Sequence, residues 1–401
     1  MLFAVFLEPC QMIKKLLIAI AVFIVGLPVF ILANILRPFV IVRFGEVYSA
    51  RIGHIAGNLD NYLSSRAPSG GREISIFALQ GSVANWQLTR MFERTGRMRF
   101  LTLPAKAVLR LKGQFPKSSH FIDFNVEMWA IHGETALRPA NISFTADEVR
   151  KGTARLQERG IHGEFICFNN RDNAYLKTVG GDGNTHDYRN SSVHSYRPLI
   201  QHALTLGYPV VRLGNIVEEE IAIDHADFVD FSGKNSDDFM DIFLLDRARI
   251  FIGNNSGFSN VRRVFRKPEI IVNFAPFAPN HLWPFSYGTV ILPKKMYSHS
   301  LGRLMTISEM RSLNVDIHYQ GDYFKDQGID VLENTGDEIL AAFKEGLARF
   351  EGTFSERVED RERQGAFWAH FASREEKALF HDRLGMRICA DFLEKQQTFL
   401  T

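Results

Sequence analysis

Residues 248–277 read ARIFIGNNSGFSNVRRVFRKPEIIVNFAPF, a strand–turn–helix–strand pattern. A short apolar run, Ile250 to Ile252, leads into Gly253-Asn254-Asn255-Ser256-Gly257. Val261, Val264 and Phe265 follow at the i, i+3, i+4 spacing of one helix face. Lys267-Pro268 stops that helix, because proline lacks an N–H and restricts the residue before it. Glu269 to Phe274 then reads as a second strand. The product is a βαβ unit with a polar turn at the carboxyl end of its first strand. Such a turn presents backbone N–H groups at a helix N-terminus, where a phosphate is stabilised. An ordinary strand-to-helix turn has the same composition, so the turn alone leaves both readings open.

Upstream, the alternation continues. Phe39 to Phe44 reads as a strand, Gly45 to Gly53 as a connection and Ile55 to Leu63 as a helix. Ile74 to Leu79 is a strand, the turn Gln80-Gly81-Ser82 leads into a helix from Val83 to about Arg94, and Arg99 to Leu103 is a third strand. A short helix, Ala105 to Lys112, follows, and Phe115 to Pro139 is irregular. Thr145-Ala-Asp-Glu148 has capping-box spacing and opens a helix to about Arg159. Glu164 to Phe168 starts a second run of strands, with Pro209 to Leu213 next. Tyr196 to Leu206 is a helix ended by Gly207, and Ser236 caps another from Asp237 to Arg247 that turns Phe239, Ile242 and Phe243 inward. This alternation predicts an α/β protein of parallel sheets flanked by helices. The tail after residue 350 reads as charged amphipathic helices with Phe367, Trp368 and Phe371 on one side.

At 401 residues, 46% hydrophobic and 23% charged, the chain is long enough for two folded domains. A net charge of +2 and the lack of a basic stripe interleaved with aromatics argue against nucleic acid as a partner. The three cysteines, Cys10, Cys167 and Cys389, are far apart and suggest neither a disulfide framework nor a metal site. Leu16 to Leu36 carries no charge and as a helix would reach about 31 Å, close to a bilayer core. It is expected to be a retained membrane anchor, with a buried core helix as the alternative. Lysines and arginines on both flanks, and Gly26 and Pro28 within, leave open whether it spans or re-enters one leaflet. Attachment at the cytoplasmic face is the expectation.

Several residues could carry chemistry. Arg171 follows directly on a strand, where ligands of open parallel sheets bind, and its planar fork suits phosphate. A surface ion pair with Asp172 is the alternative. Arg189 lies in the loop KTVGGDGNTHDYRNSSV (177–193), whose length and Gly, Asn and Ser content suit a binding loop, or simply a solvated one. With Asn254, Asn255, Ser256 and Gly257, these arginines could hold a diphosphate. Arg212 reads as structural. His54, in Arg51-Ile-Gly-His54, could take a proton from an acceptor hydroxyl or serve as a structural or capping group. His281 is a weaker candidate. Glu333 could bind ribose hydroxyls, while Thr335 and Glu338 have capping-box spacing nearby. No Asp-x-Asp triplet occurs, so no metal is expected, and no GxxxxGK[ST], GxSxG or HExxH is present. No cofactor is implied.

In order, the segments RIGHIAGNLDNYL (51–63), NNRDNAYL (169–176), YRNSSV (188–193), GYPVVRLG (207–214), SDDFMDIFLLDRARIFIGNNSGFSNVRRVF (236–265) and ENTGDEI (333–339) resemble a bacterial glycosyltransferase family of surface-polysaccharide clusters. The resemblance covers roughly residues 40 to 350. More distantly, the strand–SG–helix–KP–strand unit looks like the donor half of heptosyltransferase-like and fucosyltransferase-like enzymes of GT-B type. The resemblance implies two Rossmann-like domains with a nucleoside-diphosphate-sugar donor held by the second. It also implies a lipid-linked or oligosaccharide acceptor, and places Arg171, Arg189 and 254–257 on the donor side and His54 on the acceptor side. The expected divisions are 1–37 anchor, 38–159 acceptor domain, 160–350 donor domain and 351–401 helical extension. Two rivals stand beside a metal-independent glycosyltransferase. One is a non-catalytic membrane-bound assembly subunit. The other is a different Rossmann-type nucleotide-sugar enzyme, disfavoured by the absence of GxGxxG after the first strand.

Overall fold

The computed structural model describes residues 20, 22–66, 72–123, 135–178, 185–276, 286–318, 320–370 and 378–400. Contacts divide the chain into two units, Met1–Ala130 and Ile131–Thr401.

In the first unit a π-helical turn, Val22–Gly26, leads into the helix Leu27–Leu36. Three parallel strands follow, β1 (Ile41–Tyr48), β2 (Glu73–Gln80) and β3 (Met98–Phe100), paired in the order β1-β2-β3. The helices Ile52–Ser65, Trp86–Glu93 and Thr102–Leu109 complete the alternation. The expected break at Gly45 does not occur, and β1 continues through it to Tyr48. The helix expected from Val83 starts at Trp86 instead, because the Asn85 side chain accepts the Leu88 N–H at 2.9 Å and fixes the start there. Among the described residues no helix is long and apolar enough to cross a membrane. Residues 16–19 and 21 of the expected anchor lie outside the described residues, as do Cys10, His281, Phe371 and 179–184 of the Gly-rich loop.

The second unit is built on β4 (Ile166–Asn169), β5 (Val210–Arg212), β6 (Phe228–Asp230), β7 (Ile250–Gly253), β8 (Glu269–Phe274) and β9 (Val290–Pro293). A smaller antiparallel sheet follows, β10 (Lys295–Ser298), β11 (Arg303–Leu304) and β12 (Ile329–Leu332), and then β13 (Arg387–Ile388). The large sheet has seven strands in the order β13-β9-β8-β7-β4-β5-β6, and every pairing in it is parallel. The chain begins in the middle at β4 and steps outward through β5 and β6. It then crosses back to β7 on the other side of β4 and steps outward again through β8 and β9. The reversal lies between β4 and β7, and crevices of open parallel sheets form at such a reversal, beyond the carboxyl ends of the strands. The central strands are buried on both faces, as their continuous apolar sequences require.

Two boundaries differ from the sequence expectation. The helix Ala146–Gln157, expected to close the first domain, belongs to the second unit. Its Gly152 lies against the Phe243 ring so closely that a Cβ would approach to 2.4 Å, and Arg155 pairs with Asp237 at 2.5 Å. The tail after residue 350 is not a separate extension. It supplies β13 beside β9, and Phe367 and Trp368 are buried in the same core as Ile270, Ile339 and Phe343. A two-residue strand carries no periodicity that a sequence reading could detect.

The local signals explain most of the rest. Thr145 and Thr335 form the expected capping boxes with Glu148 and Glu338. Gly207 takes φ +81° after the helix Arg197–Thr205, the left-handed geometry that ends a helix. The helix Asp238–Arg247 is capped by Asp237, not Ser236, because the Asp237 carboxylate accepts from Phe239 N and Met240 N while Ser236 Oγ turns to Asp241.

Candidate functional site

Three segments converge beyond the carboxyl ends of β4 and β7, the loop after β4, residues 186–196 and the turn after β7, and the side chain that joins them is Asn254. It follows β7 directly and is fully buried. Its Oδ1 accepts Arg171 N–H at 3.1 Å, Ser191 Oγ at 3.2 Å and Tyr196 Oη at 2.8 Å. Its Nδ2 donates to the Arg189 carbonyl at 2.8 Å. One amide therefore ties the loop after β4, the 186–193 segment and the turn after β7 together. The sequence reading placed Asn254 among the phosphate ligands. In the structure both ends of its amide are engaged by protein, and its role is to hold the candidate ligands in place.

Gly253 lets this happen. A Cβ there would sit 2.8 Å from the Asn169 carbonyl and 2.8 Å from the Phe251 ring, so only glycine allows the two strand ends to approach. Behind it, the helix Gly257–Val264 is pinned by two buried arginines. Arg262 donates to the carbonyls of Leu245, Ala248, Arg249 and Pro268, and Arg263 pairs with the buried Glu269 at 2.9 Å. The first-turn N–H groups of this helix have no partners within it and carry the positive end of the helix dipole. Asn255 Oδ1 accepts from Arg263 Nη2 at 3.3 Å, and Ser256 N–H donates to Ser259 Oγ at 3.1 Å. Of the expected turn residues, Ser256 and Gly257 thus cap and open the helix.

Arg171 is half-buried. Its Nη1 donates to the His186 carbonyl at 2.9 Å and to the Asn190 side chain. It is not paired with Asp172, whose carboxylate accepts Ala174 N–H and Glu218 N–H and so closes a turn. Arg189 ends a short 3-10 turn, Asp187–Arg189, with its guanidinium 5.6 Å from the centre of the Tyr188 ring. Its Nε is buried without a hydrogen-bond partner. A buried, unpartnered guanidinium N–H is costly unless a ligand meets it. Arg212 is structural as expected: fully buried, it donates to the Glu219 carbonyl at 2.7 Å and to Asn170 at 3.3 Å and pairs with Asp230 at 3.4 Å.

The sequence reading missed Lys294. It follows β9, is 1% exposed, and donates to the Asn190 carbonyl at 2.6 Å. Burial pushes its ammonium down to about 8, Glu333 and Asp187 oppose the shift, and Arg171 adds to it. Lysine is rarely buried without a partner, and nothing in Lys294-Lys295 distinguishes the first from the second by sequence. Glu333 is exposed beside this group, and its Oε2 accepts Ser192 N–H at 3.0 Å. Asn334, next along, exchanges two hydrogen bonds with Asn273 and fixes the end of β12 against β8.

His54 lies in the first unit, in the opening turn of the helix Ile52–Ser65, edge-on to Tyr48 at 5.4 Å. Burial, and then the charge of Arg51, hold its imidazole down to about 4. The ring is therefore uncharged at neutral pH. It can accept a proton, but only as a weak base.

Fold and site together define an α/β protein with Arg171, Arg189 and Lys294 near the strand-order reversal of its larger, parallel sheet. No protein-family profile matches the chain, and no curated protein matches it. Among solved structures it is similar to a glycosyl transferase family 9 protein from Veillonella parvula DSM 2008, at 10% identity and a TM-score of 0.46, over 77% of this chain and 97% of that one. It is also similar to the E. coli ADP-heptose lps heptosyltransferase II, at 13% identity and a TM-score of 0.45, over 77% of this chain and 99% of that one. At these scores the likeness decides neither fold nor activity.

Proposed function

We propose that this chain is a glycosyltransferase that takes a sugar from a nucleoside-diphosphate donor and places it on a lipid-linked or growing surface glycan. The observation that carries this reading is that the buried Asn254 amide binds the backbone of Arg171 and of Arg189 beside the N-terminus of the helix Gly257–Val264, while Lys294 reaches the neighbouring Asn190 carbonyl. The motif resemblance set out above supports the same assignment. In the reaction the bond between the anomeric carbon and the β-phosphate oxygen breaks, and its electron pair leaves with the diphosphate. The acceptor oxygen forms the new bond and gives up its proton. Negative charge grows on the leaving diphosphate, where preorganised cations and N–H donors lower the barrier most. Two arginines and a lysine supply this stabilisation without a divalent metal. Arg171 and Arg189 grip the diphosphate, Lys294 adds a third charge, and Glu333 meets the ribose hydroxyls. His54 accepts the acceptor proton. Such an acceptor would meet the enzyme at the cytoplasmic face of the bacterial inner membrane.

A second reading, donor binding without transfer, is favoured by the weak basicity of His54. The two separate in one experiment. Binding of UDP, GDP and ADP is measured by thermal stabilisation and calorimetry, and release of diphosphate from the matching nucleotide-sugar is then followed with membrane-extracted glycan as acceptor. The expected result is preference for one nucleotide, weakened about 10–100-fold in Arg171→Ala, the cost of one charge-assisted contact. Turnover lost in His54→Ala with binding intact supports transfer. Binding without turnover in the unaltered chain supports the second reading. Stabilisation by NAD in place of any nucleoside diphosphate sinks both.

A further inference from the structure

The first unit presents an apolar surface that the donor chemistry does not use. Along residues 23–39, Phe23, Ile24, Ile31, Leu32, Ile35 and Phe39 are exposed, at between 49% and 76% of their full area. The opposite side of the same stretch is packed. Phe30 and Ala33 are 6% and 2% exposed, and Phe30 stacks on Phe121 at 5.8 Å. Gly26 lies against the Ala107 carbonyl so closely that a Cβ would come within 2.6 Å. The stretch is thus laid along the protein surface with one face in and one face out. The helix Leu27–Leu36 is 10 residues long, about 15 Å and half of a hydrocarbon core.

The charge around this face has one sign. No Asp or Glu occurs from Pro9 to Gly45 or from Arg94 to Ile122. Arg37, Lys106, Arg110, Lys112 and Lys117 are exposed there, and among the described residues none of them is in an ion pair. A cleft of about 900 Å³ opens beside the helix, with Leu27, Ile31 and Phe115 on its apolar wall and Arg37 and Lys117 among its polar lining. Apolar side chains rimmed by unopposed cations match a bilayer of anionic phospholipids, in which acyl chains lie beneath phosphates.

We propose that this face docks flat on an anionic bilayer, with the outer side of residues 23–39 among the acyl chains and a headgroup phosphate at Arg37 and Lys117. The inference deepens the lipid-linked part of the proposed function and is independent of the donor site. A helix held along the protein by Phe30, Ala33 and Gly26 is placed to lie in the interface and not to thread it. The test is flotation of the full chain with phosphatidylcholine vesicles and with vesicles containing 30% phosphatidylglycerol. The expected result is binding to the anionic vesicles, release by alkaline carbonate, and at least a tenfold loss in Ile31→Ser/Ile35→Ser/Phe39→Ser. Arg37→Glu/Lys117→Glu should abolish the preference for anionic lipid. Nucleoside-diphosphate binding, measured on the same variants, should not change, and its failure in the unaltered chain would count against the donor site alone. Equal binding to neutral vesicles, resistance to carbonate, full binding by the serine variant, or a dimer in solution that closes these residues would each overturn the proposal.

Discussion

Two regions of this molecule break the usual partition of side chains, in opposite directions. Around Asn254, polar groups are buried in quantity: the amide itself, Tyr196, Ser191, Arg212 and Lys294. Along residues 23–39, large apolar groups are exposed. The first region closes the bonds of its central amide within the chain and leaves the buried Nε of Arg189 unmet, ready for a ligand. The second is satisfied on one side only. A buried polar network specifies a geometry, whereas an apolar face without a cover specifies a partner. Both departures cost stability, and they are the two places where function is the natural return for that cost.

The largest effect is expected at the amide. Asn254→Leu keeps the volume but strands the Arg171 N–H, two hydroxyls and the Arg189 carbonyl. Unpartnered buried groups cost about 1–3 kcal/mol each, and some will find water, so a net loss of roughly 3–5 kcal/mol is expected for the second unit. Nucleotide binding should vanish with it. Urea unfolding followed by hydrogen exchange in β4 and β7 would measure this. A loss below about 1 kcal/mol would mean that the crevice is not held by this residue, and the contrast between the two regions would fail.

The next test compares the two sides of one helix. Phe30→Ala removes a ring packed on Phe115 and Phe121 and should cost about 3 kcal/mol, the lower end of the range for buried phenylalanine. Ile35→Ser, on the exposed side, should change stability by less than about 0.5 kcal/mol. Thermal denaturation of both variants gives the difference. Equal costs would show that residues of the chain itself cover the outer side, and the apolar face would no longer call for a partner.

Much of this fold was legible because its local signals agree with its global arrangement. The βαβ unit at 248–277 falls where the sequence places it, with Val261 and Val264 buried to 0%. The capping boxes at Thr145 and Thr335 need only residues three apart, and such spacing survives any tertiary context. What could not be read depends on distant pairing. The helix Ala146–Gln157 looks the same whichever unit it joins, and only the fit of Gly152 on Phe243 decides. The carboxyl-terminal strand β13 has two residues and exists because β9 offers a free edge. In the candidate site, Arg171 and Arg189 are singled out by position, after a strand and in a loop, and the backbone of each meets Asn254. Asn254 reads from the sequence as a ligand, because its position does not disclose that four protein groups consume its amide. Lys294 was invisible, since its burial follows from the approach of Asn190 across more than a hundred residues of chain.

The smallest effect concerns that lysine, and it shows whether the buried polar region binds an anion or only holds itself together. Burial sets the Lys294 ammonium at about 8, below the ordinary 10.5. Below pH 8 it is charged and attracts a diphosphate. Above pH 8 it is neutral in the free protein, and a bound anion must pull a proton back onto it. Donor affinity should therefore fall as pH rises through 8, by up to about tenfold per unit. Stability should move the other way. The unfolded chain binds more protons than the folded one between about 8 and 10.5, so the contribution of Lys294 to stability rises with pH in that window. Lys294→Met should weaken binding about tenfold at pH 7, a loss of about 1.4 kcal/mol, and flatten both profiles relative to the unaltered chain. Calorimetric titration with the preferred nucleoside diphosphate at pH 7, 8 and 9, beside urea unfolding at the same pH values, separates the roles. Affinity that stays level to pH 9 while stability climbs would make Lys294 a strut beneath Asn190 and leave the two arginines and the helix N-terminus as the whole of the anion site.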